Sequence, residues 1–320
     1  MPADARHDAV TLPTLADIEA AAARVGPYVR RTPTLPLQPT YGATPDELWV
    51  KLESLQHTGS FKVRGAFNAL LALDDAARAR GVVAVSGGNH GLGVAFAARR
   101  LGVEATIYLP IYASPVKQER IRALGAHVVT CETIAEAFAS AEAQVAATGA
   151  AMIHPYADPR VVCGQGTVGI EFCTDAPPLD TLVVAVGGGG LIAGVAIAAK
   201  ALLPRVRVVG VEPRGAATLT AALAAGYPVT LPKLDTIAAD SLGAPDVSPL
   251  NLAAARAAVD EVVLVDDDEI VAARSWLWRE LNVAAENGGV TALAAYLNGR
   301  TRPGGRTGVL ICGGNIDLGW

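Results

Sequence analysis

The chain alternates short runs of hydrophobic residues with longer alanine-rich stretches in which apolar residues recur at helical spacing. Thr14 followed by Asp17 has the spacing of a capping box and predicts a helix over Leu15 to Val25. Eight runs rich in β-branched residues predict strands: Leu48–Leu52, Val82–Ser86, Ala105–Leu109, His127–Cys131, Thr181–Val186, Val206–Val211, Val262–Val265 and Gly308–Cys312. Strands separated by helices indicate right-handed β-α-β connections and therefore largely parallel sheets.

These strands are too many for one small sheet, so the pattern predicts two. The predicted fold class is α/β, with two open, mostly parallel, twisted sheets flanked by helices. The block from Val82 to about Ala150 reads as a small domain inserted into a larger one. We therefore assign residues 76–151 to the small domain and residues 1–75 and 152–320 to the large one. Two such domains leave a ligand-binding cleft at the carboxyl ends of their strands, and residues 226–250, rich in Pro and Gly, are predicted to form a long loop over it.

The composition narrows the class of protein. Half of the 320 residues are hydrophobic, mostly Ala, Val and Leu, while 5% are aromatic, as in proteins with buried parallel strands. The net charge of −5 argues against a nucleic-acid partner. No apolar run is long enough to cross a bilayer, and the N-terminus has no signal-peptide core. The four cysteines form no CxxC pair, which is typical of reduced thiols and predicts a cytoplasmic protein.

A single lysine, Lys62, stands at the start of a predicted helix, directly after a small polar turn that contains Gly59 and Ser60. An amine held beside backbone N–H groups at a helix start has a lowered pKa and can attack an aldehyde. An ordinary surface lysine at a helix N-terminus fits this segment equally well.

Four consecutive glycines, Gly187 to Gly190, follow a predicted strand and precede an apolar helix. Their backbone N–H groups can converge on an anion, and the helix dipole adds to the attraction. A tight strand-to-helix turn is the simpler alternative. Glu212 lies near the distance at which dinucleotide-binding proteins place an acidic residue, so a nicotinamide site is a competing interpretation.

Two further segments follow strands and could face the cleft. In the loop Ser86–Gly91 the backbone donors suit a carboxylate, and the Asn89 side chain can hydrogen-bond a phenolic oxygen. A helix N-cap by Ser86 or Asn89 is the alternative, and His90 alone is more typical of a packed residue. Cys312 ends the last predicted strand, where a thiol would point into the cleft, although such a cysteine is often just a small buried hydrophobe.

Taken together and in this order, the motifs resemble the fold-type II pyridoxal-phosphate enzymes, whose fold is tryptophan synthase β-like. More narrowly they resemble the threonine/serine dehydratase and serine racemase branch, over about residues 14–318. The segments that carry the resemblance are Ser60–Gly65, Ser86–Gly91, Gly164–Thr167, Gly187–Gly190 and Cys312–Asn315.

The resemblance implies pyridoxal 5'-phosphate as cofactor and a role for each matching residue. Lys62 would form the Schiff base and later act as the catalytic base. Phe61 would pack beside the cofactor ring, Asn89 would bond its 3-hydroxyl, and Cys312 would face its pyridine nitrogen. The cofactor phosphate would be bound by Gly187, Gly188, Gly189, Gly190 and Leu191. The substrate carboxylate would be bound by Ser86, Gly87, Gly88, Asn89 and His90.

The activity implied by the resemblance is a dehydratase, or ammonia-lyase, that converts L-threonine, L-serine or a related β-hydroxy amino acid to a 2-keto acid and ammonia. The alternatives are an amino-acid racemase or a β-replacement synthase on the same cofactor. A nucleotide-binding module using the glycine loop is the alternative from another class. The expected partners are an amino-acid substrate and a second copy of the chain in a homodimer, with no nucleic acid and no membrane.

At two positions the chain differs from members of the branch that it resembles. Racemases of this branch carry a serine where this chain has Gly87, so we expect elimination of water without appreciable racemisation. Metal-binding members resemble the chain at Glu212 and at the Ala216 carbonyl but place an aspartate where Thr218 stands. A hard cation prefers several carboxylate oxygens, which argues against a divalent or monovalent cation there.

Overall fold

The computed structural model describes residues 10–41, 44, 46–301 and 304–316. The strands are β1 Thr34–Leu37, β2 Glu47–Leu52, β3 Val82–Val85, β4 Ala105–Pro110, β5 His127–Cys131, β6 Ala151–Met152, β7 Thr181–Ala185, β8 Arg207–Pro213, β9 Glu261–Val265 and β10 Arg306–Ile311. The α-helices are α1 Leu15–Val25, α2 Lys62–Leu71, α3 Asp75–Ala79, α4 Asn89–Leu101, α5 Pro115–Ala123, α6 Ile134–Thr148, α7 Pro159–Asp175, α8 Gly190–Leu202, α9 Thr218–Ala225, α10 Ala239–Leu242, α11 Pro249–Ala258, α12 Asp267–Leu281 and α13 Asn287–Leu297.

The strands form two sheets, as predicted. The larger has six strands in the order β1-β2-β10-β7-β8-β9, and the smaller has four in the order β5-β4-β3-β6. Among the described residues, every pairing of these strands is parallel except that of β1 with β2. The α/β class with two mostly parallel sheets is therefore confirmed, and so are all eight predicted strands to within a few residues.

Buried valines dominate the centre of the larger sheet. All five residues of β7 are buried, and the core around them takes Ile192 and Val195 from α8 and Val290 and Leu293 from α13. A parallel strand covered on both faces reads as a continuous apolar run, which makes β7 recognisable in the sequence.

The core of the smaller sheet extends beyond the predicted small domain. It joins Ile107 and Leu109 of β4 to Phe67 and Leu70 of α2 and to Val161 of α7. The sheet itself is built from residues 82–152 alone, which supports an inserted unit. The boundaries at residues 76 and 151 stay a prediction, because α2 packs across the first of them.

Helix α1 has the capping box that its sequence predicts. Thr14 Oγ1 accepts the N–H of Asp17 at 3.3 Å, and the Asp17 carboxylate accepts the N–H of Thr14 at 2.8 Å. Among the helices of the described ranges, none is both long enough and apolar enough to span a membrane.

Candidate active site

Lys62 is placed by a loop that is hydrogen-bonded to the end of β10. The Phe61 N–H donates to the Cys312 carbonyl at 3.2 Å, and the Gly314 N–H donates to the Gly59 carbonyl at 2.8 Å. The segment before α2 thus pairs with the residues that follow β10, through an antiparallel bridge between Ser60 and Gly313. Lys62 is the first residue of α2, so its position is fixed by both the helix and the strand end.

The amine of Lys62 lies inside the protein, so the surface-lysine alternative is wrong. Its Nζ donates to the Pro155 carbonyl at 2.9 Å and lies 5.2 Å from the centroid of the Phe61 ring. The residue as a whole is partly exposed, but its amine is surrounded by protein atoms. Burial lowers its pKa to about 8, against smaller opposing effects of Cys312 and Glu286. The predicted direction is confirmed, but burial and not the helix start is the main cause.

Nine of the predicted site residues line one cavity between the sheets. They are Phe61, Lys62, Asn89, Gly187, Gly188, Gly189, Gly190, Leu191 and Cys312. Ser86, Gly87, Gly88 and His90 are not among its lining residues, so their role toward a substrate carboxylate stays a prediction. Residues 226–250 do reach over the cavity through Ser241 and Leu242, but α10 and the start of α11 interrupt the predicted loop.

At three of the four glycines of the loop a side chain would be strained or crowded, each for a separate reason. Gly189 has φ +82°, in the left-handed region. A Cβ on Gly188 would lie 2.5 Å from the Tyr156 ring, and a Cβ on Gly187 would lie 3.1 Å from the Leu242 backbone. The N–H groups of the first turn of α8 have no partner within the helix and are available to an anion. Asn251 supports the loop by donating to the Gly188 carbonyl at 2.7 Å.

Glu212 is not available for the ribose contact that a nicotinamide site requires. Its carboxylate accepts the N–H groups of Leu219 and Thr220 at 2.7 and 2.9 Å. It also accepts the hydroxyls of Thr218 and Thr220 at 3.2 and 2.7 Å. The same four bonds occupy the Glu212 carboxylate oxygens that a cation between Glu212 and the Ala216 carbonyl would need. Within the described ranges, no group of three or more His, Cys, Asp or Glu residues is arranged to hold a metal.

Ser86 and His90, on either side of the start of α4, are engaged with other groups of the protein. Gly88 is the N-cap residue and no side chain caps the helix, so the N-cap alternative for Ser86 or Asn89 is wrong. The Ser86 hydroxyl accepts the Gly88 N–H at 3.1 Å. The His90 ring is buried and its Nε2 lies 2.8 Å from the Ile153 carbonyl. Burial and the nearby Lys62 lower the pKa of His90 to about 3, so the ring is neutral.

Cys312 lines the cavity as predicted, and its thiol donates to the Gly288 carbonyl at 3.6 Å. The side chain is buried. Burial raises the pKa of this thiol far above its ordinary value, with a further contribution from Glu286. The group is therefore a neutral thiol at physiological pH, whichever ligand it faces.

Glu286 is a site residue that sequence reasoning missed. It lines the cavity, is 2% exposed, and accepts a hydrogen bond from the Asn89 amide nitrogen. Burial raises its pKa to about 7, and Lys117 partly offsets that effect. The available signal was a glutamate directly before the Asn287-Gly288-Gly289 start of a helix, but a lone acidic residue next to glycines is too common to single out.

A sequence model of one family, described as "Pyridoxal-phosphate dependent enzyme", matches residues 25–313. The chain belongs to this family. Phenylserine dehydratase from Ralstonia pickettii is 42% identical over 97% of this chain and 95% of its own length. Serine racemase from Oryza sativa subsp. japonica is 38% identical over 94% of this chain and 91% of its own length. The crystal structure of a threonine deaminase from T.th. superposes with a TM-score of 0.90, at 37% identity over 96% of this chain and 100% of that one.

The cofactor of this family, pyridoxal phosphate, fits the cavity. Lys62 offers a partly deprotonated amine for the aldehyde, and the glycine loop offers free N–H groups for the phosphate. The neutral Cys312 thiol can face a ring nitrogen. The fold-type II resemblance and the cofactor prediction are thus confirmed, and the relatives place the chain among dehydratases and racemases.

Proposed function

We propose that this pyridoxal-phosphate enzyme is a dehydratase that converts L-threonine, L-serine or a related β-hydroxy amino acid to a 2-keto acid and ammonia. The observation that carries the proposal is an asymmetry of the site. Lys62 supplies one proton-transferring group, while the loop of Ser86 to Gly91 supplies no second one. Racemisation needs an acid or base on each face of the α-carbon, and elimination does not.

Gly87 is the position at which racemases of this branch, as the resemblance implies, carry a serine. Here there is no side chain, and there is no room for one. A Cβ on Gly87 would lie 2.4 Å from the Cβ of Ala113, which is far below any normal contact distance. In this chain the Ala113 side chain therefore lies where a side chain at position 87 would have to be.

The neighbours of Gly87 do not replace the missing group. The Ser86 hydroxyl is engaged with the Gly88 N–H inside its own loop. The His90 ring is neutral, with its pKa lowered to about 3, and one nitrogen lies against the Ile153 carbonyl. Neither residue is among those that line the cavity with Lys62.

Lys62 is suited to take a proton from a substrate once its amine is free. An amine with a pKa of about 8 is partly neutral at pH 7, and the Pro155 carbonyl at 2.9 Å orients its Nζ. When bound, pyridoxal phosphate supplies the electron sink for the bond broken at the α-carbon. The neutral thiol of Cys312 would place no negative charge beside the bound cofactor, which favours elimination of the β-hydroxyl over reactions that need a stronger electron sink.

A keto-acid release assay with L-threonine, L-serine, phenylserine and 3-hydroxyaspartate tests the proposal. We expect release of keto acid and ammonia from at least one of them, and no enantiomer or α-epimer at a comparable rate by chiral chromatography. Lys62→Ala should retain no cofactor that borohydride can trap and should release no keto acid. Comparable formation of D-serine would instead support the racemase alternative, to which the rice relative points.

The remaining assignments are also proposals. We propose a homodimer in the cytoplasm, with small-molecule amino acids as its substrates. The dimer can be tested by light scattering of the purified holoenzyme. The four compounds of the substrate panel differ only in the substituent on the β-carbon, so relative kcat/KM values across it would name the preferred side chain.

A further inference from the structure

The side-chain amide of Asn89 is held by a neighbour at each end. Asn89 is 7% exposed and lines the cavity beside Lys62. Its Oδ1 accepts from Asn315 Nδ2 at 2.7 Å, and its Nδ2 donates to the Glu286 carboxylate. An amide nitrogen carries two N–H groups, so one N–H of Asn89 remains for a ligand in the cavity.

The orientation of these amides follows from groups that have only one hydrogen-bonding role. The Thr58 carbonyl can only accept, and it lies 2.7 Å from one polar atom of Asn315, so that atom must be the nitrogen. The Arg120 guanidinium can only donate, and it lies 3.5 Å from the other atom, so that atom must be the oxygen. The Asn315 nitrogen then faces Asn89, which requires the Asn89 oxygen at that contact.

The opposite end of Asn89 is fixed as well. With its oxygen toward Asn315, the amide turns its nitrogen toward Glu286, whose Oε1 accepts. Glu286 is 2% exposed, and its Oε2 has no hydrogen-bond partner among the described residues. A buried carboxyl oxygen without a hydrogen-bond partner lowers the stability of the fold, so its presence beside the cavity calls for a functional explanation.

We propose that Asn315 and Glu286 are positioning residues that hold the Asn89 amide so that it presents an N–H, and not its oxygen, to the 3-oxygen of the bound cofactor. A donor at that place stabilises the anionic form of the 3-oxygen, whereas an acceptor would stabilise the neutral hydroxyl. The residues thereby set which ionic form of the cofactor the enzyme holds at rest. The inference concerns the cofactor alone and holds for a dehydratase or a racemase.

Asn315→Asp tests the orientation directly. An aspartate cannot donate to the Thr58 carbonyl or to Asn89 Oδ1, but it can accept, and Arg120 can pair with it. Asn89 then turns its nitrogen toward residue 315 and its oxygen toward the cavity and Glu286. The Glu286 carboxyl has a pKa of about 7, so it can take up the proton needed to donate to that oxygen. The absorption spectrum of the resting holoenzyme separates the two forms of the 3-oxygen into two bands, without any substrate.

In Asn315→Asp we expect the ratio of the anionic band to the neutral band to fall about tenfold, since a hydrogen bond to a charged group is replaced by one to the neutral form. Asn315→Ala frees Asn89 without turning it and should lower the ratio by a smaller factor. Asn298→Asp adds the same charge at a helix end away from the cavity and should leave the spectrum unchanged.

Introducing Asn315→Asp into an Asn89→Ala variant tests whether the change in the absorption spectrum depends on Asn89. We expect Asn315→Asp to have no effect there, because nothing remains to be turned. An equal shift in both backgrounds, or no shift with Asn89 present, overturns the proposal. If Asn315→Asp does not retain cofactor, the same comparison is made with Asn315→Ala. Its spectrum should change when Asn89 is present and should not change in the Asn89→Ala variant. Because the spectra need no turnover, these results are independent of the dehydratase assay.

Discussion

At the scale of single residues, burial of one amine sets the chemistry of the site. Lys62 has a pKa of about 8, so about a tenth of it is neutral at pH 7, whereas an ordinary lysine is almost wholly charged. The pKa is lowered because the cavity disfavours the ammonium ion. The neutral amine is the form that reacts with an aldehyde.

We therefore expect the rate of pyridoxal phosphate capture by the cofactor-free protein to rise with pH and to level off just above pH 8. Stopped-flow absorbance between about pH 7 and pH 10 measures this rate, in a range where the cofactor phosphate is already ionised. Lys62→Ala provides the background. A rate that keeps rising toward the upper end of that range would show an unperturbed amine and contradict the assigned environment.

Gly87 yields a second prediction at this scale. Gly87→Ser alone should destabilise the protein by about 1–3 kcal/mol, because overpacking against the Ala113 Cβ forces the loop to move. Adding Ala113→Gly should recover most of that loss. Urea unfolding of the two single variants and the double variant measures the coupling. Additive effects would mean that the two side chains do not compete for the same space.

At the scale of elements, the sequence specifies most of what lies at the centre of each sheet and less at its edges. Residues 182–185 of β7 and 208–211 of β8 are continuous runs without a polar side chain, so both strands are predictable. Strand β1 contains Pro36 and pairs only along one side, and β6 has two residues, so neither has a recognisable pattern. Glu286 was missed because its role depends on contacts with Asn89, which is distant in sequence.

The glycine loop supports a prediction with a close control. Gly189 and Gly125 have φ values of +82° and +86°, so alanine should cost about 1–2 kcal/mol of stability at either position. At Gly125 a Cβ meets nothing within 4 Å, but at Gly189 it would lie 3.0 Å from Asn251, which supports the loop. We expect Gly189→Ala alone to weaken cofactor binding.

Equilibrium dialysis of pyridoxal phosphate against each alanine variant measures the difference. Similar melting temperatures with a weaker Kd only for Gly189→Ala would support an anion site made by the loop backbone. Equal losses of affinity in both variants would show that general destabilisation, and not the loop, limits cofactor binding.

At the scale of the whole molecule, a buried ionic network ties the lysine helix to the large sheet. Arg64, two residues after Lys62, is fully buried and donates to Glu53 of the segment after β2 and to Glu171 of α7. Lys51 of β2 donates to Glu171 at 2.7 Å. Burial alone would raise the pKa of Glu171, but the bonds from Arg64 and Lys51 outweigh it and lower the pKa.

Arg64→Met should therefore lower the free energy of unfolding by about 3–5 kcal/mol at pH 7, because it leaves two buried carboxylates with too few hydrogen-bond partners. Glu171 has a lowered pKa, so its stabilising contribution is present above pH 4.5 and is lost as the pH falls. The difference between wild type and variant should accordingly shrink in acid. Urea unfolding at neutral pH and at about pH 3.5, below the ordinary pKa of a glutamate, measures it.

Arg31→Met is the matched control for that variant. Arg31 pairs with Asp175 at the surface, with 61% of its side chain exposed, so its loss should cost at most about 1 kcal/mol at either pH. An equal loss in the free energy of unfolding for the two variants would mean that the buried network stabilises the protein no more than a surface ion pair does.

The position of β10 in the larger sheet has a consequence for the order in which the protein folds during its synthesis. β10 lies between β2 and β7, so the strands made earlier form two separate halves until residues 306–311 leave the ribosome. The loop before Lys62 likewise gains its partners only with Cys312 to Gly314. Pairings of such long range form late. We therefore expect the surroundings of Lys62, and with them the ability to capture cofactor, to be completed only after this strand has paired.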